Sequence, residues 1–292
     1  MPAPFVLFCA DPLDARRVEP DFAQEVEPAR EFGFSPVRLD HDELDRRVDP
    51  AAALRRARFD EGGMAIYRGW MVTAEAYEGL YKALADGGVE LMTTPSQYAA
   101  CHHTPDSYAA LAEWMPRTAW LPLADMKDGE RRRQVLAQFG SHPVIVKDWV
   151  KSQASGYWSE ACFIPDASSA GESDRVIERF LDLQGDSLVG GLVFKAYVPL
   201  LPLGSPAYEH RAFVVKGRAI GCWPRTPEAG ARAGPPSDLL DEVAAHVPSP
   251  FASADFARDE DGKWWLLEVG DGQVSGLPDP EAARAIFSAL AA

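Results

Sequence analysis

Cysteine is scarce in this chain, and long apolar runs are absent. The four cysteines, Cys9, Cys101, Cys162 and Cys222, lie far apart, without a CxxC pair and each in or beside an apolar segment. That spacing excludes a disulfide framework and a paired-thiol zinc site, and predicts buried, reduced thiols. No stretch approaches the roughly 18 apolar residues that a membrane-spanning helix needs. The amino-terminal MPAPFVLFCADPLDARR has no basic segment ahead of its short apolar run, so a cytoplasmic protein without a membrane partner is expected. Positive charge is in deficit: 29 Lys and Arg against 44 Asp and Glu give a formal net charge of -15. Such a field repels phosphate backbones and anionic lipid alike, which excludes nonspecific nucleic-acid binding. The tryptophans are spread over many segments and form no basic-aromatic ladder for a single strand.

What is present is ordinary globular material. Hydrophobic residues make up 47% and charged residues 25% of the 292, enough for about two domains with real cores. Phe5 to Cys9 reads as a strand, followed by a polar, helical stretch ending near Gly33. Met64 to Ile66 reads as a second strand, and a helix capped by Thr73 runs to Gly87-Gly88, before a strand from Val89 to Met92. Strands alternating with helices over the first hundred residues predict a small α/β unit with a mostly parallel sheet. Pro105 to Trp114 has helical spacing, Pro143 to Val150 reads as a strand, and Ser173 to Leu183 as an amphipathic helix. Beyond Gly190 the chain turns β-rich, with Thr226 to Pro236 expected as a mobile loop.

Two local patterns point to chemistry. Phe251 to Val269 contains two strand-like segments around Asp261-Gly262, a two-residue hairpin signal. Counting outward from that turn places Asp255 across from Glu268. Like charges in that position are destabilising unless a cation lies between them, and magnesium suits two carboxylates completed by phosphate oxygens and water. The alternative is a solvent-facing pair in a slipped or bulged hairpin. The second pattern is Lys147 at the end of the apolar strand Val144-Ile145-Val146, with Lys151 four residues on and on the same side if strand alternation continues. The pair is either a phosphate cradle or two surface lysines at a strand end. A further hairpin at Lys216-Gly217 pairs Arg211 with Cys222, and strict alternation gives Arg225 the opposite parity unless Pro224 redirects the chain. The GxGxxxG run after Glu268 lacks the spacing and the second strand of a dinucleotide fingerprint. Cys101-His102-His103 lacks a second ligand pair for zinc. Arg68, flanked by Tyr67 and Trp70, is either a carboxylate clamp or a guanidinium stacked on a surface tryptophan.

Taken in chain order, PVIVKDWVKS, GGLVFKAYVPL, EHRAFVVKGRAIG and DFARDEDGKWWLLEVGDGQVSG resemble the ATP-grasp superfamily. YRGWM, VKDWVKS, EHRAF and LEVGDGQVSGLP resemble more closely a bacterial and phage clade of it marked by paired arginines and a lysine. The resemblance covers nearly the whole chain. It implies an α/β and α+β fold: a small α/β pre-ATP-grasp domain over residues 1–104, an ATP-grasp N-subdomain over 105–188, and a C-subdomain over 189–292 that completes the clasp on ATP. It implies ATP and Mg2+ as cofactors, with Lys147 and Lys151 on the phosphates and Lys195, Ala196, Tyr197, Val198 and Glu209 around the nucleoside. Asp255, Glu268 and Asp271 fall at the metal positions, and Arg211, Arg225 and Lys151 at the catalytic cations. Arg68, Trp70, His102, His103, Gln273 and Ser275 fall on the substrate side. Two positions depart from the pattern: Ala196 replaces an acidic hinge residue, and Gly270 replaces the terminal asparagine. The implied activity is ATP-dependent ligation of a carboxylate to an amine through an acyl phosphate, on a small-molecule or peptide substrate, by a monomer or homodimer. A kinase and a noncatalytic ATP-binding module are the alternatives on the same scaffold.

Overall fold

The computed structural model describes residues 4–203, 207–230 and 232–292, in a chain that divides into two compact units. The first comprises Met1–Cys101, His210–Ala254 and Gly270–Ala292; the second comprises His102–Glu209 and Asp255–Val269.

In the first unit, β1 (Phe5–Cys9), β2 (Ser35–Leu39), β3 (Gly63–Arg68) and β4 (Val89–Leu91) form a parallel sheet in the order β2-β1-β3-β4. Strand β1 is buried throughout because both of its faces are covered. Phe5, Leu7 and Cys9 pack into one core and Val6 and Phe8 into another. Helix Ala74–Asp86 starts where Thr73 Oγ1 accepts the Ala76 N–H at 3.2 Å, and it buries Ala76, Tyr77, Leu80 and Leu84 against the first core. Strand β2 has little sequence signal, since only Val37 and Leu39 alternate in SPVRL. The terminal helix Pro280–Ala291 buries Ile286, Phe287 and Leu290 in the second core, with Phe213, Val215 and Phe251.

In the second unit, β5 (Thr118–Pro122), β6 (Val144–Asp148), β7 (Phe163–Ile164) and β8 (Gly191–Ala196) form an antiparallel sheet in the order β5-β8-β6-β7. Alternation sorts its two faces. Val144, Val146, Leu192 and Phe194 pack on Val176, Ile177 and Phe180 of helix Ala170–Gln184. Ile145, Lys147, Val193 and Lys195 belong to the opposite face.

This sheet redraws the expected domain limits. A boundary at 188/189 would cut β8 away from β5 and β6, to which its backbone is hydrogen-bonded on both sides. The unit instead runs on to Glu209, and residues 210–254 and 270–292 group with the first 101. An apolar run predicts a strand; its partners are a matter of tertiary pairing. The remaining strands, β9 (His210–Val215), β10 (Arg218–Pro224), β11 (Phe251–Arg258) and β12 (Trp264–Asp271), follow the order β10-β9-β11-β12. Segment 255–269 belongs to the second unit: Leu266 N–H bonds the Trp114 carbonyl at 2.9 Å and Leu201 N–H the Arg258 carbonyl at 2.9 Å. The stretch expected as a mobile loop holds a short helix at Pro227–Gly230. Among the described residues, no helix is long and apolar enough to cross a membrane.

Candidate active site

The lysine-bearing face of the second unit is built by strand register. Ile145 pairs with Lys195 and Lys147 with Val193, so the two lysines are diagonal neighbours on one face, a separation of roughly 7–8 Å or less. Both are half-buried. Lys147 Nζ donates to the Val150 carbonyl at 3.1 Å and Lys195 Nζ to the Leu267 carbonyl at 2.5 Å. Burial, and then the Lys147 charge, push the Lys195 ammonium down to about 7, against the opposing pull of Glu268. Two lysines and a carboxylate are thus within electrostatic reach of one another.

Lys151 does not extend this face by alternation, because β6 ends at Asp148. The buried Asp148 carboxylate accepts the N–H groups of Val150 at 2.7 Å, Lys151 at 2.5 Å and Val189 at 3.2 Å, and the Gln184 amide at 2.7 Å. These bonds turn the chain and leave Lys151 exposed. Asp148 is the anchor that the sequence reading missed; its signal is an acid placed at the end of an apolar strand just before a polar loop. Gly190 serves the same turn, since a Cβ there would meet the Trp149 ring at 2.1 Å.

Past Lys195 the backbone is largely committed. The Ala196 N–H donates to the Arg117 carbonyl and the Tyr197 N–H to the Pro143 carbonyl, each at 2.8 Å. His142 Nε2 lies 3.0 Å from the Tyr197 carbonyl. An adenine contact through the Ala196 N–H is therefore not available, whereas the Val198 N–H has no partner among the described residues. The Tyr197 ring meets Phe163 edge-on with centroids 5.0 Å apart, and Phe163 stacks with Trp158 at 5.5 Å. Phe163 is paired with Ile145, which sets this aromatic group beside the lysine face. Glu209 is half-buried at the last position of its segment.

The acidic hairpin closes differently from the expected two-residue turn. Asp259 N–H donates to the Lys263 carbonyl at 3.0 Å, so the loop is Glu260-Asp261-Gly262, with Gly262 at φ 87°. Counted from this end alone, Asp255 and Glu268 would miss each other. At the far end, however, the Gly272 N–H donates to the Phe251 carbonyl at 3.0 Å. The segment from Lys263 to Gly272 is one residue longer than that from Phe251 to Asp259, so β12 contains a bulge. Burial places the slip at Leu267-Glu268, between the buried Leu266 and Val269. Counting from Gly272 sets Ser253 against Gly270, where an added Cβ would meet Ser253 Oγ at 3.0 Å, and Asp255 against Glu268. Asp255 is buried and Glu268 exposed.

Asp271 does not join that pair. It is fully buried in the first unit, and its Oδ1 accepts the Gln273 N–H at 2.9 Å and the Gln273 amide at 3.0 Å, while Oδ2 has no partner. No group of three metal-ligating acids, histidines or cysteines occurs among the described residues. Burial pushes the Asp271 carboxyl up to about 7 from 3.8. Between those values the unfolded chain releases a proton that the fold keeps, so this group's contribution to stability is lost as pH rises through that window. Asp271→Asn removes the titration and keeps an acceptor for both Gln273 donors. Its melting temperature is expected to exceed the parent's at about pH 8 and to approach it near pH 4 in thermal scans; an unchanged difference across that range would refute the assignment.

The paired arginines lie in the first unit, and a bulge brings them together. Register between β9 and β10 shifts between Ala219 and Gly221, so Arg211 pairs with Trp223 rather than Cys222. Arg225, two residues past Trp223, thereby acquires the parity of Arg211 without help from Pro224. Both line one cavity of 600 Å³ with Trp223, Leu277 and Asp279.

Arg68, expected as a carboxylate clamp, is instead an internal tie. It is 1% exposed and holds Glu25 through Nε at 2.7 Å and Nη2 at 2.6 Å. Its Nη1 donates to the carbonyls of Gly272, Gln273 and Ser275 at 2.6, 3.0 and 3.1 Å. The Gln273 side chain is buried too, accepting the Tyr67 N–H at 3.0 Å and donating to Tyr77 Oη at 2.9 Å. Ser275 Oγ donates to the Asp271 carbonyl at 2.9 Å and lies 2.7 Å from Ser253 Oγ. These three residues shape the 271–276 loop rather than face a ligand. Of the expected substrate residues, Trp70 remains open, 43% exposed and edge-on to Phe22 at 5.3 Å. His102 and His103 lie in the second unit; His103 Nδ1 is 3.1 Å from Asp106 and its ring packs on Trp149 at 5.5 Å.

A family model described as an ATP-grasp domain, family 3 of its clade, matches residues 138–290, more than half of the chain. This chain belongs to the ATP-grasp family. No curated protein matches it. Among solved structures, it is similar to a RimK domain protein ATP-grasp from Sphaerobacter thermophilus DSM 20745, at 16% identity and TM-score 0.64, covering 98% of each chain. D-cycloserine synthetase DcsG matches equally, at 16% identity and TM-score 0.64 over 98% of both chains. The ATP-grasp ligase PsnB, complexed with its precursor peptide PsnA2 and AMPPNP, matches at 15% identity and TM-score 0.56 over 100% of this chain and 96% of that one. At these identities the likeness is one of fold.

For an ATP-grasp protein the second unit has suitable material. The diagonal Lys147 and Lys195 are amino groups of the kind that bind phosphate oxygens. Asp255 and Glu268 supply a carboxylate pair of the kind magnesium takes together with phosphate and water. Their chemistry fits the ion; that of Asp271, enclosed and bonded to Gln273, does not.

Proposed function

We propose that this ATP-grasp protein is an ADP-forming carbon-nitrogen ligase that activates a carboxylate as an acyl phosphate and passes the acyl group to an amine. The observation that supports it most directly is the division of its cations into two sets. One is the lysine pair beside the Asp255–Glu268 carboxylates, suited to a metal-bound triphosphate; the other is the Arg211–Arg225 cavity, suited to a carboxylate. The fold relatives named as D-cycloserine synthetase and as the ligase PsnB with its precursor peptide are in keeping with this reading.

In the first step a carboxylate oxygen bonds to the γ-phosphorus as the bond to ADP breaks. In the second the amine nitrogen bonds to the acyl carbon, phosphate leaves, and the amine's proton passes to solvent or to the departing phosphate. Asp255 and Glu268 would hold magnesium, which when bound would supply charge neutralisation on the phosphates. Lys147 and Lys195 hold the phosphate oxygens and balance charge on the transferring group. Arg211 and Arg225 bind the carboxylate and its phosphorylated form, whose negative charge persists through both steps. Lys151, exposed on its loop, is positioned by Asp148 as a further cation. No protein nucleophile is needed. The aromatic group Trp158, Phe163 and Tyr197 offers an apolar face for the adenine, with the Val198 N–H as its polar contact.

Purified protein given Mg-ATP and pools of amino acids and short peptides is expected to release ADP and form a new amide, seen by mass spectrometry as loss of water between two components. A phosphorylated product that accumulates in the absence of amine would convert the assignment to a kinase. Nucleotide binding without any ADP release from such pools would leave a noncatalytic module.

A further inference from the structure

Three cavities of the first unit share walls in series. The arginine cavity shares Gly276 and Leu277 with one of 420 Å³, which also takes in Phe22, Trp70 and Val274. That cavity shares Trp70 with a third, of 320 Å³. The lining changes sign along the series. At the first end are Arg211 and Arg225; the acid there, Asp279, is engaged in capping the terminal helix through the Ala282 N–H at 2.8 Å. The middle joins the apolar Phe22, Trp70, Val274 and Leu277 to two acids, Asp21 and Glu25, the second of them bound to Arg68. The far end has five carboxylates, Asp11, Glu19, Asp40, Asp42 and Glu43. Glu43 is paired with Arg47 at 2.6 Å and Asp42 with Arg46 at 3.5 Å, which leaves Asp11, Glu19 and Asp40 against Arg56, Asp11 and Asp40 each also accepting a backbone N–H, of Leu13 and Glu43.

Three further features mark this far end as more than a set of surface acids. It lies past the carboxyl ends of β1, β2 and β3, at Ala10, Asp40 and Trp70. Because the sheet order is β2-β1-β3, the chain leaves β1 on one side and returns on the other, the kind of crevice in which parallel sheets bind ligands. The wall residue His41 has a buried Nε2 with no hydrogen-bond partner. Glu19 is held above the usual carboxylate range by burial and by the nearby charges of Asp21 and Asp11, a state that an incoming cation would relieve.

We propose that the series is a track for an extended peptide, its reacting carboxylate at Arg211 and Arg225, an apolar side chain against Trp70 and Phe22, and an amino or guanidinium group in the acidic cavity. The inference rests on the ligase reading and narrows its substrate class to a basic peptide. Size favours a peptide over a single amino acid, since the three cavities together exceed the ~1,000 Å³ that bounds sites for drug-sized molecules. The negative end disfavours a second nucleotide, whose phosphates it would repel.

The test is affinity selection with the full chain, Mg-AMPPNP and an equimolar pool of random hexapeptides, the retained set being read by mass spectrometry. Enrichment of peptides with Lys, Arg or a free amino terminus at a fixed distance from a carboxylate is expected. Acetylating the amines of the pool should weaken retention by about tenfold, which is about 1.4 kcal/mol. The double variant Glu19→Gln, Asp40→Asn, whose asparagine can still accept the Glu43 N–H, should lose the basic preference while still requiring the carboxylate, and Trp70→Ala should weaken the whole set. Retention indifferent to basic residues and to acetylation, or single amino acids competing as well as hexapeptides, would overturn the track. Calorimetry with Mg-AMPPNP on the same sample separates the two claims. Nucleotide binding without peptide selection removes the track alone, and no nucleotide binding removes the ligase reading with it.

Discussion

Lys147→Met is expected to lower the rate of ADP formation by about 10²- to 10³-fold, the effect of roughly 2.7–4 kcal/mol seen when one preorganised charge donor is taken from a developing anion. The substitution keeps an unbranched stem of nearly the same length packed on the lysine face, so circular dichroism and melting should change little. A second readout separates this role from a structural one. Lys147 depresses the Lys195 ammonium, which stands at about 7. In the parent, Lys195 is protonated below that value and progressively neutral above it, so Mg-ATP affinity is expected to fall as pH rises through about 7, with proton uptake on binding near neutrality. Removing the Lys147 charge takes away one of the causes of the depression. The alkaline fall in affinity should therefore move to higher pH in the variant. Calorimetry in buffers of different ionisation enthalpy measures both the affinity and the proton count. A Lys147→Met protein with parental turnover would end the phosphate-binding role of this strand.

Arg68→Met is expected to destabilise the fold by about 3–5 kcal/mol, because it leaves the Glu25 carboxylate buried without its counter-charge. The pair is 1% exposed on both sides, and three loop carbonyls lose their donor at the same time. Urea unfolding checks the magnitude. The double variant Glu25→Met, Arg68→Met should recover much of the loss, since two apolar side chains replace two buried charges. A single variant of undiminished stability that no longer bound its carboxylate substrate would restore the clamp expected from the flanking Tyr67 and Trp70. The geometry gives Arg68 a different role: it fixes the 272–275 carbonyls, and the loop continues directly into the Gly276 and Leu277 walls of the arginine cavity.

The chemistry-bearing strands were legible because their signals are local. An apolar strand ending in lysine, an Asp-Gly hairpin between strand-like segments, and a Lys-Gly turn after an arginine can each be read within a few residues. What could not be read locally was parity and burial. Both informative hairpins contain a bulge, one between Ala219 and Gly221 and one in β12. A bulge reverses the face of every residue beyond it, yet it depends on how the strand must bend to pack. In one case it joined Arg225 to Arg211. In the other it offset a loop one residue longer than expected, so that the count to Asp255 and Glu268 came out the same for a different reason. Arg68, Gln273, Ser275 and Asp271 illustrate burial. Each is polar and next to a loop, the usual sequence sign of a ligand contact, but in this protein they hydrogen-bond one another or the loop backbone, and none lines the three cavities of the first unit.

By itself, the amino-acid sequence determined the alternation of the strands, the caps of the helices, the net negative charge, and the order of motifs that marks an ATP-grasp chain. These follow from interactions between residues close in the chain and from composition. Only the tertiary structure decided that β8 belongs with β5 and β6, that Lys195 is diagonal to Lys147, that two arginines share a cavity, and that Arg68 is occupied by Glu25. Those outcomes depend on which hydrogen bonds and charges the packed chain brings together across long separations, and a buried charge takes whatever partner the packing supplies.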